Sequence, residues 1–297
     1  MEKLESKAAT GLMLTMLLAS MLSMAFVIPV KAQYAADPHS VALWHFDEVT
    51  HGVTPDATGE NHATLGGTPP PMLVEGKFGK ALEFDGRNFA YVVPISSSLD
   101  ISSEITIDAW INVKAFTNAT YNNIVVKCAR AGVHWQTTSR MYGLAVKAGL
   151  PEGDSSVPTG ALRGYVSTDT GGFNEIVTTE PVISLNQWIH VAFRRSLATG
   201  MHIYVNGVEK NVKAISGVQN PQGSIENGPE LYFGHDAEVV IDEVQISSAQ
   251  KPQIFLQAIE IGPNLLVAVI IIAVVFAMAW LLRRVIQTWA VLSKSKN

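Results

Sequence analysis

From Glu104 to Val113 the chain alternates. Ile105, Ile107, Ala109 and Ile111 fall on one face of an extended segment, and Glu104, Thr106, Asp108, Trp110 and Asn112 fall on the other. A period of two, carried by β-branched residues, predicts a strand with one apolar and one mainly polar side. Trp110 interrupts the polar side and predicts that this face too is partly covered. Strand-like runs recur at 81–84, 89–93, 124–129, 142–146, 163–168, 175–179, 187–193, 202–207, 230–234 and 239–246. Between them stand turn signals: Gly66-Gly67, Asp85-Gly86, Gly171-Gly172, Asn206-Gly207 and Asn227-Gly228. The stretch 201–213 predicts a hairpin with Asn206-Gly207 in its turn. No helix-period pattern appears between 41 and 247, so this region predicts an all-β sandwich or barrel.

The ends differ. A charged start, an apolar run from Ala8 to Val30 and the small residues Val30 and Ala32 predict an exported signal segment over 1–32, cleaved after Ala32 or retained as an anchor. Residues 33–40 read as a linker, and 248–263 as a juxtamembrane connection with helical spacing at Ile254, Phe255, Ala258 and Ile259. Residues 265–282 are 18 consecutive apolar residues without a charge. They predict a transmembrane helix over 264–284, and the basic tail at 285–297, preceded by Arg283 and Arg284, places that end in the cytoplasm. The expected topology is a single-pass protein of the cell membrane, its β body outside.

Composition sharpens this. The chain has 297 residues and a net charge of −5, yet residues 33–282 alone hold 24 acids and 14 bases. An acidic body argues against nucleic acid as a partner. The single cysteine, Cys128, excludes an intramolecular disulfide and reads as an apolar strand residue.

Seven pieces, ALWHFDE (42–48), DATGENHAT (56–64), GKFGKALEFDG (76–86), EITIDAWINV (104–113), LNQWIHVAFRR (185–195), MHIYVNG (201–207) and IDEVQIS (241–247), occur in an order that resembles the LamG-like jelly-roll domains of the concanavalin A-like lectin/glucanase superfamily. The resemblance implies a jelly-roll β-sandwich of two antiparallel sheets over 41–247, with first and last strands meeting. It implies less about function, because the fold serves lectins, glycosidases, adhesins and spacers.

The resemblance also implies a structural calcium near the first strand. Asp47, Asp56, Glu60 and Asp242 are the candidate ligands, and Asp56 to Asn61 supplies hard oxygens around a glycine. The alternative is an Asx-type turn with solvated acids. Asp242 and Glu243 are strand neighbours, so their carboxylates are expected to point apart. The family's glycosidase pattern, E-x-D-x-x-E, is absent. Glu104 and Asp108 share a face but stand two strand repeats apart, beyond the carboxyl spacing that glycoside hydrolysis uses. No enzyme is therefore expected. His190 reads as a packed histidine, with His202 on the next strand as its possible partner. The loops 129–140 and 148–162 form the expected ligand surface, with Trp135 and Asp154 as candidate binding residues. Asn118-Ala-Thr120 is a glycosylation sequon. The expected function is recognition of a glycan or another surface ligand; the alternatives are a structural spacer or assembly protein and, last, a glycosidase.

Overall fold

The computed structural model describes residues 35–92, 96–128, 140–149, 156–226, 228 and 230–249. The expected signal segment, membrane span and tail lie outside these residues. Among the described residues, no helix is long and apolar enough to cross a membrane.

In chain order the strands are β1 (Ser40–Trp44), β2 (Val53–Thr54), β3 (Ala63–Gly66), β4 (Met72–Glu75), β5 (Lys80–Asp85) and β6 (Phe89–Val92). After a 3₁₀ turn at Ser97–Leu99 come β7 (Ile105–Ala115), β8 (Tyr121–Cys128), β9 (Arg140–Lys147), β10 (Leu162–Thr168), β11 (Gly172–Thr178) and β12 (Ile189–Ser196). The series closes with β13 (Gly200–Val205), β14 (Val208–Glu209), β15 (Val212–Ser216), β16 (Glu230–Phe233) and β17 (Glu238–Ser247). Among the described residues these build two antiparallel sheets. One has the order β14-β13-β12-β7-β17-β5-β4, with β1 also paired to β17; the other has the order β15-β11-β10-β9-β8-β16-β6-β3-β2. Non-sequential neighbours, such as β7 between β12 and β17, are the crossovers of a jelly-roll sandwich.

The alternation in β7 does what its period dictates. Ile105, Ile107, Ala109, Ile111 and Val113 enter the core with Val191 and Phe193 of β12, facing Leu144 and Val146 of β9 and Leu162 and Val166 of β10. Trp110 on the other face is 6% exposed. The Phe78 ring meets it edge-on at 5.9 Å, and Lys77 Nζ sits 4.4 Å from its centroid. First and last strands do meet: β1 pairs with β17 from Ser40↔Ser247 to Trp44↔Val244.

Every strand run expected from the pattern lies on an observed strand; β2, β3, β4 and β15 were not foreseen. They are short and carry little alternation. The hairpin expected over 201–213 forms between β13 and β14 with Asn206-Gly207 in its turn, and only its last residues depart from it. Asn206 and Gly207, both at positive φ, turn β13 into the two-residue β14, and the chain then leaves for the other sheet, where β15 pairs with β11. His202 does not partner His190: it faces Arg194 across the strands and bonds Glu209, while His190 lies 3.6 Å from Asp108 and stacks near Trp110.

One buried cation fixes two loops. Arg195, fully buried at the end of β12, donates to the carbonyls of Ser102 and Ser103 and to those of Pro221 (3.0 Å) and Gly223 (2.7 Å). A planar fork with five donors suits a site that offers only carbonyls.

Candidate ligand site

The strands of the nine-stranded sheet send alternate residues away from the core. On β10, Leu162 and Val166 face inward, so Arg163 and Tyr165 face outward. On β11, Ile176 faces inward and Phe173 and Glu175 outward. Tyr165 stands opposite Gly143 of β9, where a Cβ would lie 2.3 Å from the tyrosine oxygen; only glycine leaves room for that ring.

These side chains form one cluster. The Arg163 guanidinium lies 4.2 Å from the Tyr121 ring, 4.7 Å from Tyr165 and 5.7 Å from Phe173. Its Nη2 donates to Glu175 Oε2 at 2.7 Å, and the Tyr121 hydroxyl donates to the other carboxylate oxygen at 3.4 Å. Arg140 lies 5.9 Å over Tyr165, and Lys147 lies 5.2 Å over Tyr121. Arg163 is 1% exposed, whereas Tyr121 and Phe173 are half-buried. Burial opposes the Arg163 charge, but Glu175 and Tyr121 hold its pKa above the usual value. Burial pushes the Tyr121 hydroxyl up to about 12, against the pull of Arg163.

Further along the same face a second aromatic group gathers. Phe89 meets Tyr91 at 5.9 Å and Tyr232 at 5.7 Å, and His235 lies 5.6 Å from Phe89. Tyr232 donates to Glu230 at 3.0 Å. Phe89 and Tyr91 keep part of their surface in solvent. Cys128 packs beneath this group, fully buried, and desolvation raises its thiol pKa.

The residues expected from sequence are placed differently. Trp135 and Asp154 lie outside the described residues. Their loops do not share a root: one joins β8 to β9 and the other leaves the far end of β9, eight residues on. At about 3.4 Å per residue, those roots stand roughly 25 Å apart. The two loops therefore start at opposite rims of the outer face, which is lined by Tyr121, Arg163, Tyr165, Phe173 and Glu175. None of these five was singled out beforehand. The signal was present in RGYVS and GFNE, where arginine, tyrosine, phenylalanine and glutamate take alternate positions.

The four acids divide. Asp56 accepts the amides of Leu43 (2.8 Å) and Thr58 on one oxygen, and the Thr58 hydroxyl and the Asn61 amide on the other. It is the Asx-type turn, 3% exposed rather than solvated. Glu60 accepts the Ser96 hydroxyl at the surface. Asp47 and Asp242 instead grip the β4–β5 turn: Asp47 accepts the Lys80 amide at 2.6 Å, and Asp242 accepts the Phe78 amide at 2.9 Å.

Nor do Asp242 and Glu243 simply point apart. A bulge interrupts β17 between Asp242 and Gln245, and Glu243 has φ +52°. Val239 and Ile241 face the core before it; Val244 and Ile246 face it after. The phase slips by one residue, and both carboxylates bury completely on one neighbourhood. Glu243 bonds His45 at 2.8 Å and, with Asp47 and Asp242, raises the histidine pKa despite burial. Desolvation, with Glu243 adding to it, pushes the Asp242 carboxyl up to about 8. Asn118 is exposed in the β7–β8 loop, on a groove of about 410 Å³ shared with Asp85, Arg87, Asp236 and Glu238.

A family profile of the concanavalin A-like lectin/glucanases superfamily matches residues 85–252. The chain belongs to that superfamily. Its lectin-like jelly roll is similar to domain 4 of AbnA, an extracellular arabinanase from Geobacillus stearothermophilus, solved in complex with arabinotriose. The TM-score is 0.52 at 17% identity, covering 73% of this chain and 96% of that one. It is also similar to the ligand binding domain of botulinum neurotoxin serotype D in complex with N-acetylneuraminic acid, with a TM-score of 0.51 at 12% identity, covering 74% of this chain and 50% of that one. The receptor binding domain of botulinum neurotoxin D gives a TM-score of 0.52 at 13% identity, covering 74% and 51%. The chain spans about half the length of the toxin domains it matches. At such identities the likeness is one of fold. No curated protein matches the sequence.

Proposed function

We propose that this chain is an extracytoplasmic glycan-recognition domain, anchored in the membrane by residues 264–284, with its ligand on the outer face of the nine-stranded sheet. One observation carries the reading: half-buried Phe89, Tyr91, Tyr121 and Phe173 share that face with Arg163 and Glu175. Aromatic faces stack on the apolar side of a sugar ring while charged groups read its hydroxyls. Similar domains solved with arabinotriose and N-acetylneuraminic acid support the class of ligand.

A glycan array probed with the full chain in detergent tests it. Tyr91→Ala and Tyr121→Ala should lower the signal on every bound sugar. Uniform silence would favour the structural spacer. The reading contains no catalysis, and release of reducing sugar by the purified chain would count against it. Anchorage predicts that alkaline carbonate leaves the protein in the membrane pellet.

A structural calcium belongs to the same proposal in narrower form. Among the described residues, no three His, Cys, Asp or Glu side chains are grouped to hold a metal. The four-acid set does not fit one ion, because Asp56 is occupied by the turn. Asp242 fits: its Oδ1 is buried without a hydrogen-bond partner, and Asp47 bonds the same turn. These two, with backbone carbonyls, would hold the ion, and it would supply charge compensation to buried carboxylates.

A further inference from the structure

We propose that Asn118 carries an N-linked glycan and that the first sugar of that glycan rests in the groove beside it. The inference rests on reading the body as extracytoplasmic, because the Asn-x-Thr signal is used on exported chains.

Asn118-Ala-Thr120 is the one Asn-x-Ser/Thr sequence in the chain. The fold puts it within reach of a large enzyme. β7 ends at Ala115 and β8 begins at Tyr121, so the sequon falls in the loop between them, with Asn118 exposed and Thr120 half-buried. Its neighbours make the bonds that hold this loop. The Thr117 hydroxyl donates to Asn122 Oδ1 at 2.7 Å, and Asn122 Nδ2 donates to the Ala115 carbonyl at 2.8 Å. The Thr117 and Thr120 carbonyls accept the amides of Gly149 and Ala148, each at 3.0 Å. Among the described residues, the Asn118 carboxamide and the Thr120 hydroxyl make no hydrogen bond. The two groups that define the signal are therefore unengaged on a fixed loop.

The step is a substitution at an anomeric carbon. A lipid phosphate-linked oligosaccharide is the donor, and a transferase joins it to the chain. Asn118 Nδ2 bonds to C1 of the first sugar. The C1–O bond breaks with its electron pair on the departing lipid phosphate, and the amide gives up one proton.

The groove is where the attached sugar comes to lie. Asn118 is part of its wall, and its volume of about 410 Å³ falls within the range of small-molecule pockets, about 300–1,000 Å³. Glu238 also lines it, and among the described residues its carboxylate has no partner, so it can accept sugar hydroxyls. Arg87, paired with Asp85 at 3.2 Å, offers further donors. A second groove of about 350 Å³ shares Asp85, Arg87 and Glu238 and continues to Met72 and Lys114, a path for the next sugar. A tethered sugar needs little intrinsic affinity to stay there, since attachment sets a high local concentration.

The full chain, purified in detergent from its own host, tests this. Cleavage after Lys114 and Lys127 yields the peptide 115–127. Its mass should exceed that of the unmodified peptide by a glycan, and fragmentation should place the addition on Asn118. Asn118→Gln and Thr120→Ala should each abolish the addition, while Thr120→Ser, which keeps the hydroxyl, should retain it. Hydrogen exchange at 86–87 and 117–119 should be several-fold slower in the glycosylated chain than in folded Asn118→Gln; equal exchange would overturn the seating in the groove. A membrane-impermeant amine reagent on intact cells reads export separately. A chain labelled from outside but unmodified at Asn118 would overturn the inference and leave the extracytoplasmic reading standing. A chain neither labelled nor modified would overturn both. An addition that survives Thr120→Ala would mark an adduct independent of the signal and would also overturn it.

Discussion

The Asp56 carboxylate accepts the Leu43 amide at 2.8 Å, and the next residue, Ala57, donates to the Leu43 carbonyl at 2.7 Å. Together they occupy the edge of β1 where a neighbouring strand would otherwise pair. An open edge invites association with other chains, and here a loop closes it. Asp56→Ala should leave the buried Leu43 and Asn61 amides without acceptors and cost about 2–4 kcal/mol in urea unfolding. Asp56→Asn keeps part of the acceptor set and should cost less.

Calcium should act elsewhere. With calcium in place of chelator the melting temperature should rise, and Asp242→Asn should abolish the rise because it removes the buried unpartnered oxygen. Asp56→Asn should preserve it. An identical melt with and without the ion in the wild-type chain would end the calcium proposal.

Arg195 predicts a conservative substitution that fails. Lysine keeps the charge but has a single nitrogen for carbonyls from two loops, at 102–103 and 221–223. Arg195→Lys should destabilise by about 2 kcal/mol or more, and Arg195→Met by a similar amount or more, since each leaves carbonyls unsatisfied. Protease digestion should then cut first in one of those loops.

Gly143 predicts a steric coupling. An added Cβ would lie 2.3 Å from the Tyr165 oxygen and 2.5 Å from the Val125 carbonyl. Gly143→Ala should cost about 1–3 kcal/mol. In a Tyr165→Ala background the cost should be smaller, because the nearest of those contacts is gone, and a double-mutant cycle reads the difference.

Much of the body was legible from the chain. The alternation around Ile107 placed β7 correctly, and the run from Val239 to Ile246 placed β17. The outer-face cluster was legible only in part. Arg163 and Tyr165 alternate with Leu162 and Val166, yet the pattern does not say which face is core or that Tyr121, far upstream, comes to lie over the guanidinium. The acids were the hardest. Asp56 looks like a cation ligand in isolation, and only its four hydrogen bonds make it a turn. Asp242 and Glu243 were expected to diverge, and the bulge brought them to one place.

Alternation, turn residues and the order of motifs were enough to set the class of fold, since a side chain's face in a strand depends on its own position and a period of two. Which groups meet depends on register between strands distant in the chain, and a single extra residue reverses it. His45 reaches Glu243 across 198 positions, and no local pattern carries that distance. Folding alone decided that contact and the Arg195 grip.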